Sequence, residues 1–100
     1  MKIRFAILLS FFVALTWNSS SAQEKTKINQ LDALLIQGEY NEVVSNCLNI
    51  LQTDTLNAEI YYKLGLAYQN LMQNDKTVEA FSKAVKLAPD NKKYMYTLAK

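Results

Sequence analysis

The stretch Tyr61-Tyr62-Lys63-Leu64-Gly65-Leu66-Ala67-Tyr68 decides how this chain is read. Tyr61, Leu64, Gly65 and Tyr68 recur at three- and four-residue steps, the spacing of one face of a helix. Leu71 and Met72 extend that face, so a helix is expected from about Ala58 to Met72. Glycine within a helix costs stability relative to alanine. A glycine at position 65 therefore implies close approach by another helix, and Ala84 is small for the same reason. Downstream, Val78, Phe81, Ala84, Val85 and Ala88 form a second helical stripe. Gln73-Asn74-Asp75 turns the chain between the two helices and caps the second. Pro89 ends that helix, because proline disfavours α conformation in the residue before it.

Working outward, Asn57 is placed to cap the central helix, with Glu59 favourable in its first turn. Upstream, Gln23 to Gln37 reads as a first helix with a stripe of Ile28, Leu31, Leu34 and Leu35. Gly38 stops it, as glycine does just past a helix end. Glu39-Tyr40-Asn41-Glu42 starts a second helix, whose apolar face holds Val43, Val44, Cys47, Leu48, Ile50 and Leu51. After the loop from Thr53 come the two helices already described. Asp90-Asn91 then offers a further cap, and Tyr94, Met95, Leu98 and Ala99 begin a fifth helix.

Laid over one another, segments 24–57 and 58–91 put apolar positions on apolar positions and loop on loop, and 92–100 continues the same register. Val44 falls on Val78, Asn57 on Asn91, Tyr62 on Tyr96 and Leu64 on Leu98. Cys47 falls on Phe81 and Ile50 on Ala84. With Tyr61, Leu64, Gly65, Tyr68, Phe81, Ala84 and Pro89 in one such unit, the chain resembles the tetratricopeptide repeat, a 34-residue helix–turn–helix. Residues 24–57 are expected to form one repeat, 58–91 a second and 92–100 the start of a third, within a domain of residues 23–100. Thr77 departs from the pattern, where the family usually has Ala. The resemblance implies an all-α fold of antiparallel helix–turn–helix repeats stacked as a short right-handed α-solenoid. No single repeat buries its own face, so stacking makes the core.

Residues 1–22 read as an address. Met1 to Arg4 is basic, Phe5 to Trp17 is a nearly unbroken apolar run, and Asn18 to Ala22 is polar and small. This is the layout of a secretory signal peptide, with the cut expected between Ala22 and Gln23. The apolar run is shorter than the roughly 20 residues a membrane-spanning helix needs. The expectation is a secreted or periplasmic protein that leaves the membrane after cleavage. Asn18-Ser19-Ser20 matches a glycosylation pattern but lies inside the removed segment.

Composition narrows the chemistry. The net charge is +2, and Lys2 and Arg4 account for the excess, so the remainder is balanced. A balanced body without a basic stripe lacks the electrostatic footprint of nucleic-acid binding. The chain has no His and one Cys. Glu39 with Glu42, and Asp75 with Glu79, sit near helix starts, where they favour the helix dipole. No phosphate loop, serine nucleophile motif or paired-cysteine spacing is present. No enzyme activity, metal or cofactor is expected. Cys47 is read as a small buried hydrophobe, against the alternative of an exposed thiol that pairs with a partner.

The resemblance implies a non-catalytic protein–protein interaction module that holds a peptide or helix in a concave groove lined by the first helix of each pair. Groove positions are then Ile28, Asn29, Asp32, Leu35 and Ile36 in the first repeat, and Glu59, Tyr62, Lys63, Leu66, Gln69 and Asn70 in the second. Lys93, Tyr96, Thr97 and Lys100 follow in the third. Tyr62 and Tyr96 are either interface anchors or inter-helix packing. Asp32 and Ile28 stand where one family mode grips a terminal carboxylate, which Asp32 would repel. The alternative function is an N-terminal sensor or docking portion of a larger exported enzyme or receptor. A fifth helix without a partner leaves an open edge, from which self-association and a marginally stable fold are expected.

Overall fold

The structure, a computed structural model, describes residues 27–99. The expected signal segment and the first residues of the expected first helix lie outside the described residues. Within them are five helices and no strand. Helix α1 covers 27–37, α2 Tyr40–Thr53, α3 Ala58–Asn70, α4 Asn74–Leu87 and α5 Lys92–Ala99. This all-helical order is consistent with the expected repeat solenoid.

The two tight turns are built alike. Gly38 has φ of +80°, in the left-handed region. Its N–H donates to the Leu35 carbonyl at 3.2 Å, and the Glu39 N–H donates to the Leu34 carbonyl at 2.9 Å. This pair of bonds closes a helix end and satisfies two of its orphan carbonyls. After α3 the same pair recurs, with Met72 N–H donating to Gln69 O at 3.1 Å and Gln73 N–H to Tyr68 O at 3.0 Å. Here the left-handed residue is Met72, with φ of 61°. The expectation that α3 runs through Met72 is thereby corrected: the helix ends at Asn70, and Met72 is 83% exposed. The chain must reverse between Asn70 and Asn74 to lay α4 against α3, and the left-handed residue makes that reversal.

The helix starts repeat as well. Asn57 Oδ1 accepts the Ile60 N–H at 3.2 Å, and Asn91 Oδ1 accepts the Tyr94 N–H at 3.3 Å. The cap expected from Gln73-Asn74-Asp75 is not a side-chain cap. Asn74 and Asp75 lie in the first turn of α4, and the Gln73 carbonyl takes both the Thr77 N–H at 3.0 Å and the Thr77 hydroxyl at 2.9 Å. Thr77 is buried, so that hydroxyl needs a partner, and the bond within its own helix supplies it. α4 stops at Leu87, just ahead of Pro89.

α3 is the centre of the packing, against α2 on one side and α4 on the other. Leu64, Gly65 and Tyr68 are buried on the expected stripe, but so are Ile60 and Ala67, which lie off it. A helix with neighbours on two sides buries a wider arc than a single stripe. A Cβ at position 65 would collide with the ring of Phe81, the close approach that the glycine implied. Cys47 is fully buried, and burial pushes its thiol up to about 12, offset a little by the charge of Lys63. Two expected core residues are corrected outward: Leu48 and Val78 are about half exposed, while Ala80 takes the inner position on α4.

Candidate partner-binding face

The residues expected to line the groove fall into three groups. Asp32 of α1, Glu59 and Lys63 come together. Lys63 is buried, and its Nζ donates to Asp32 Oδ1 and lies 3.5 Å from Glu59 Oε1. The two carboxylates stay more than half exposed. Burial of Lys63 opposes its charge, but the hydrogen bond and charge of Asp32, followed by Glu59, outweigh it and raise its pKa above the ordinary lysine value. The cation is thus held inside a carboxylate pair, and the face it lies on presents Asp32 and Glu59 outward.

Tyr62 belongs to a second group. It is half-buried, stacks on Tyr94 at 4.7 Å between centroids, and stands 5.8 Å from the Phe81 ring. Lys93 Nζ lies 5.2 Å from its centroid. Stacked and cation-capped rings of this kind hold helices in register. Tyr62 therefore packs α3 on α5, and burial pushes the Tyr94 hydroxyl up, with Glu59 adding to the shift.

The third group is open. Ile36 is 88% exposed, Tyr96 is 71% exposed, and Gln69 is exposed, while Leu66 is half-buried. Among the described residues, no ion pair or ring contact joins these to the Lys63 cluster. Tyr96 is the repeat counterpart of Tyr62, yet the two differ in environment: one is packed, the other presented to solvent.

The Asp32–Lys63 link escaped the sequence because its partners stand 31 residues apart. The repeat alignment gives no hint of it, since Lys63 falls one turn away from the counterpart of Asp32. Among the described residues, no group of three or more potential ligands could hold a metal ion, and no helix is long and apolar enough to cross a membrane.

Comparison with known families places this geometry. A tetratricopeptide repeat is found at residues 58–91, bounds that run from the first residue of α3 to the Asn91 cap of α5. The α3–α4 hairpin is thus a repeat of the class that serves as a protein–protein interaction module and is typically non-catalytic. Arrays of such repeats present extended concave surfaces on which partners bind. No curated protein matches the chain.

Proposed function

We propose that this chain is an exported interaction module that binds a peptide or helix of a partner protein on the face formed by α1, α3 and α5. The observation that carries the proposal is the tetratricopeptide repeat at residues 58–91. Residues 24–57 act as a preceding repeat, supported by the matched turns at Gly38 and Met72 and the matched caps at Asn57 and Asn91. Tyr96 and Ile36 are the contact residues, because they are large, apolar and exposed. Aromatic anchors of this kind dominate interface energetics. Lys63 supports the face from inside rather than touching the partner. Export rests on the basic, apolar and small-residue order of residues 1–22.

A photo-crosslinking residue placed at position 96 in the full chain, expressed in its own cells, tests the reading. A discrete adduct from position 96, and none from exposed Ser45 on α2, is the expected result. Equal yields from both positions would remove the proposal. The intact mass of the recovered protein tests export separately: Gln23–Lys100 is expected, and retention of residues 1–22 would refute cleavage.

A further inference from the structure

A second surface lies on the other helices. A cleft of about 280 Å³ opens between α2 and α4 over a floor supplied by α3. Tyr61 and Tyr68 make that floor aromatic, buried Ala80 lines the α4 side, and the half-exposed Leu48 lines the α2 side. Lys76 and Lys83 complete it, with their ammonium groups 5.6 Å from the Tyr68 centroid and 5.4 Å from the Tyr61 centroid. On α3 the cleft uses Tyr61, Leu64 and Tyr68, whereas the face proposed above uses Glu59, Tyr62, Lys63 and Leu66.

We propose that this cleft is a separate binding site for a peptide segment that inserts one large apolar side chain and carries acidic residues beside it. Size sets the first half of the statement. The volume is just below the roughly 300–1,000 Å³ of sites for drug-sized ligands, and suits a single inserted side chain on an apolar, aromatic floor. Charge sets the second half. Two lysines border the cleft against one acid, Glu79, which lies 3.8 Å from Lys83. Among the described residues Lys76 has no acidic partner. Contact with the tyrosine faces holds both ammonium groups beside the apolar floor, where a carboxylate flanking the inserted side chain can pair with them.

The test uses the full chain and a fluorescein-labelled hexapeptide, Gly-Glu-Leu-Phe-Glu-Gly, followed by fluorescence anisotropy. Saturable binding is expected, and it should weaken several-fold as salt rises from about 50 to about 300 mM. The double variant Lys76→Glu, Lys83→Glu should weaken it by about tenfold or more, as expected for loss of two charge pairs. Leu48→Trp, which fills the mouth, should do the same. Should Leu48→Trp lose helical circular dichroism, the exposed lysine pair still decides the matter. Tyr96→Ala should leave binding unchanged, so that failure here and failure of the α1, α3 and α5 face are told apart. Absence of binding, equal binding of the hexapeptide with Lys in place of Glu, or loss on Tyr96→Ala with retention in the double lysine variant would each overturn the proposal.

Discussion

In the α3–α4 hairpin, Gly65 lies under the ring of Phe81; in the α1–α2 hairpin the equivalent positions hold Leu31 and Cys47, both fully buried. One hairpin puts its bulk on the second helix and leaves the first bare. The other puts the bulk on the first helix and a small thiol on the second. The turns differ in the same spirit, with Gly38 in one left-handed position and Met72 in the other. The two hairpins thus keep a similar summed volume and backbone geometry while the residues that supply them differ, because a close-packed core responds to volume.

The largest effect expected tests the exchange of bulk directly. Gly65→Leu should destabilise the fold by about 2 kcal/mol net, since over-packing a filled core costs up to about 3 kcal/mol. That exceeds the ~1 kcal/mol of helix propensity gained by losing a glycine. Phe81→Cys should cost a similar amount through the cavity it leaves. Combining them should recover more than about 1 kcal/mol of the summed loss, measured by urea denaturation. Strict additivity would break the comparison.

Next in size is the link between α1 and α3. Asp32→Ala leaves the buried Lys63 with Glu59 alone, and should cost about 1–2 kcal/mol. Lys63→Met removes the buried charge and leaves two carboxylates that solvent already reaches, so it should cost under about 1 kcal/mol. Chemical denaturation of both variants should give that order; the reverse order would mean that the lysine's own contacts matter more than its charge.

The turns allow a finer test. A non-glycine residue in the left-handed region is disfavoured by roughly 1–2 kcal/mol. Met72→Gly should therefore stabilise the protein by about 1 kcal/mol or slightly less, after the greater freedom of glycine in the unfolded chain is counted. Gly38→Met should destabilise by about 1–2 kcal/mol. Opposite shifts in thermal midpoint are the expected outcome, and shifts of one sign would show that the turns are not equivalent.

The smallest effect separates Cys47 from Phe81 by pH. Burial raises the folded thiol pKa to about 12. Between an ordinary thiol value of about 8.5 and that value, the unfolded chain has lost the proton and the folded chain retains it. Stability is then complete below the unfolded pKa and falls as pH rises. The loss should be under about 1 kcal/mol between about pH 8 and 9. Lys63, Tyr68 and Tyr94 are also raised and act in the same direction at higher pH. Cys47→Ala should flatten that alkaline segment, read from denaturation midpoints.

Much of the helix pattern was legible before the structure. Local chemistry sets it: Asn57 and Asn91 cap with their own side chains, Gly38 takes a conformation open to glycine, and Pro89 bars continuation. The end of α3 was not legible, because Met72 carries no local signal for a left-handed turn. The candidate face was legible only as a set of positions. Periodicity names Tyr62 and Tyr96 alike, yet Tyr94 covers the first and leaves the second exposed.

By itself, then, the sequence determined the helices and most of their limits, since these follow from contacts within a few residues. Tertiary structure alone decided that Lys63 is enclosed by Asp32, that Tyr62 packs while Tyr96 is presented, and that a lysine-bordered cleft opens between α2 and α4. Those features depend on which helix faces meet, and residues far apart in the chain become neighbours only once the helices have packed.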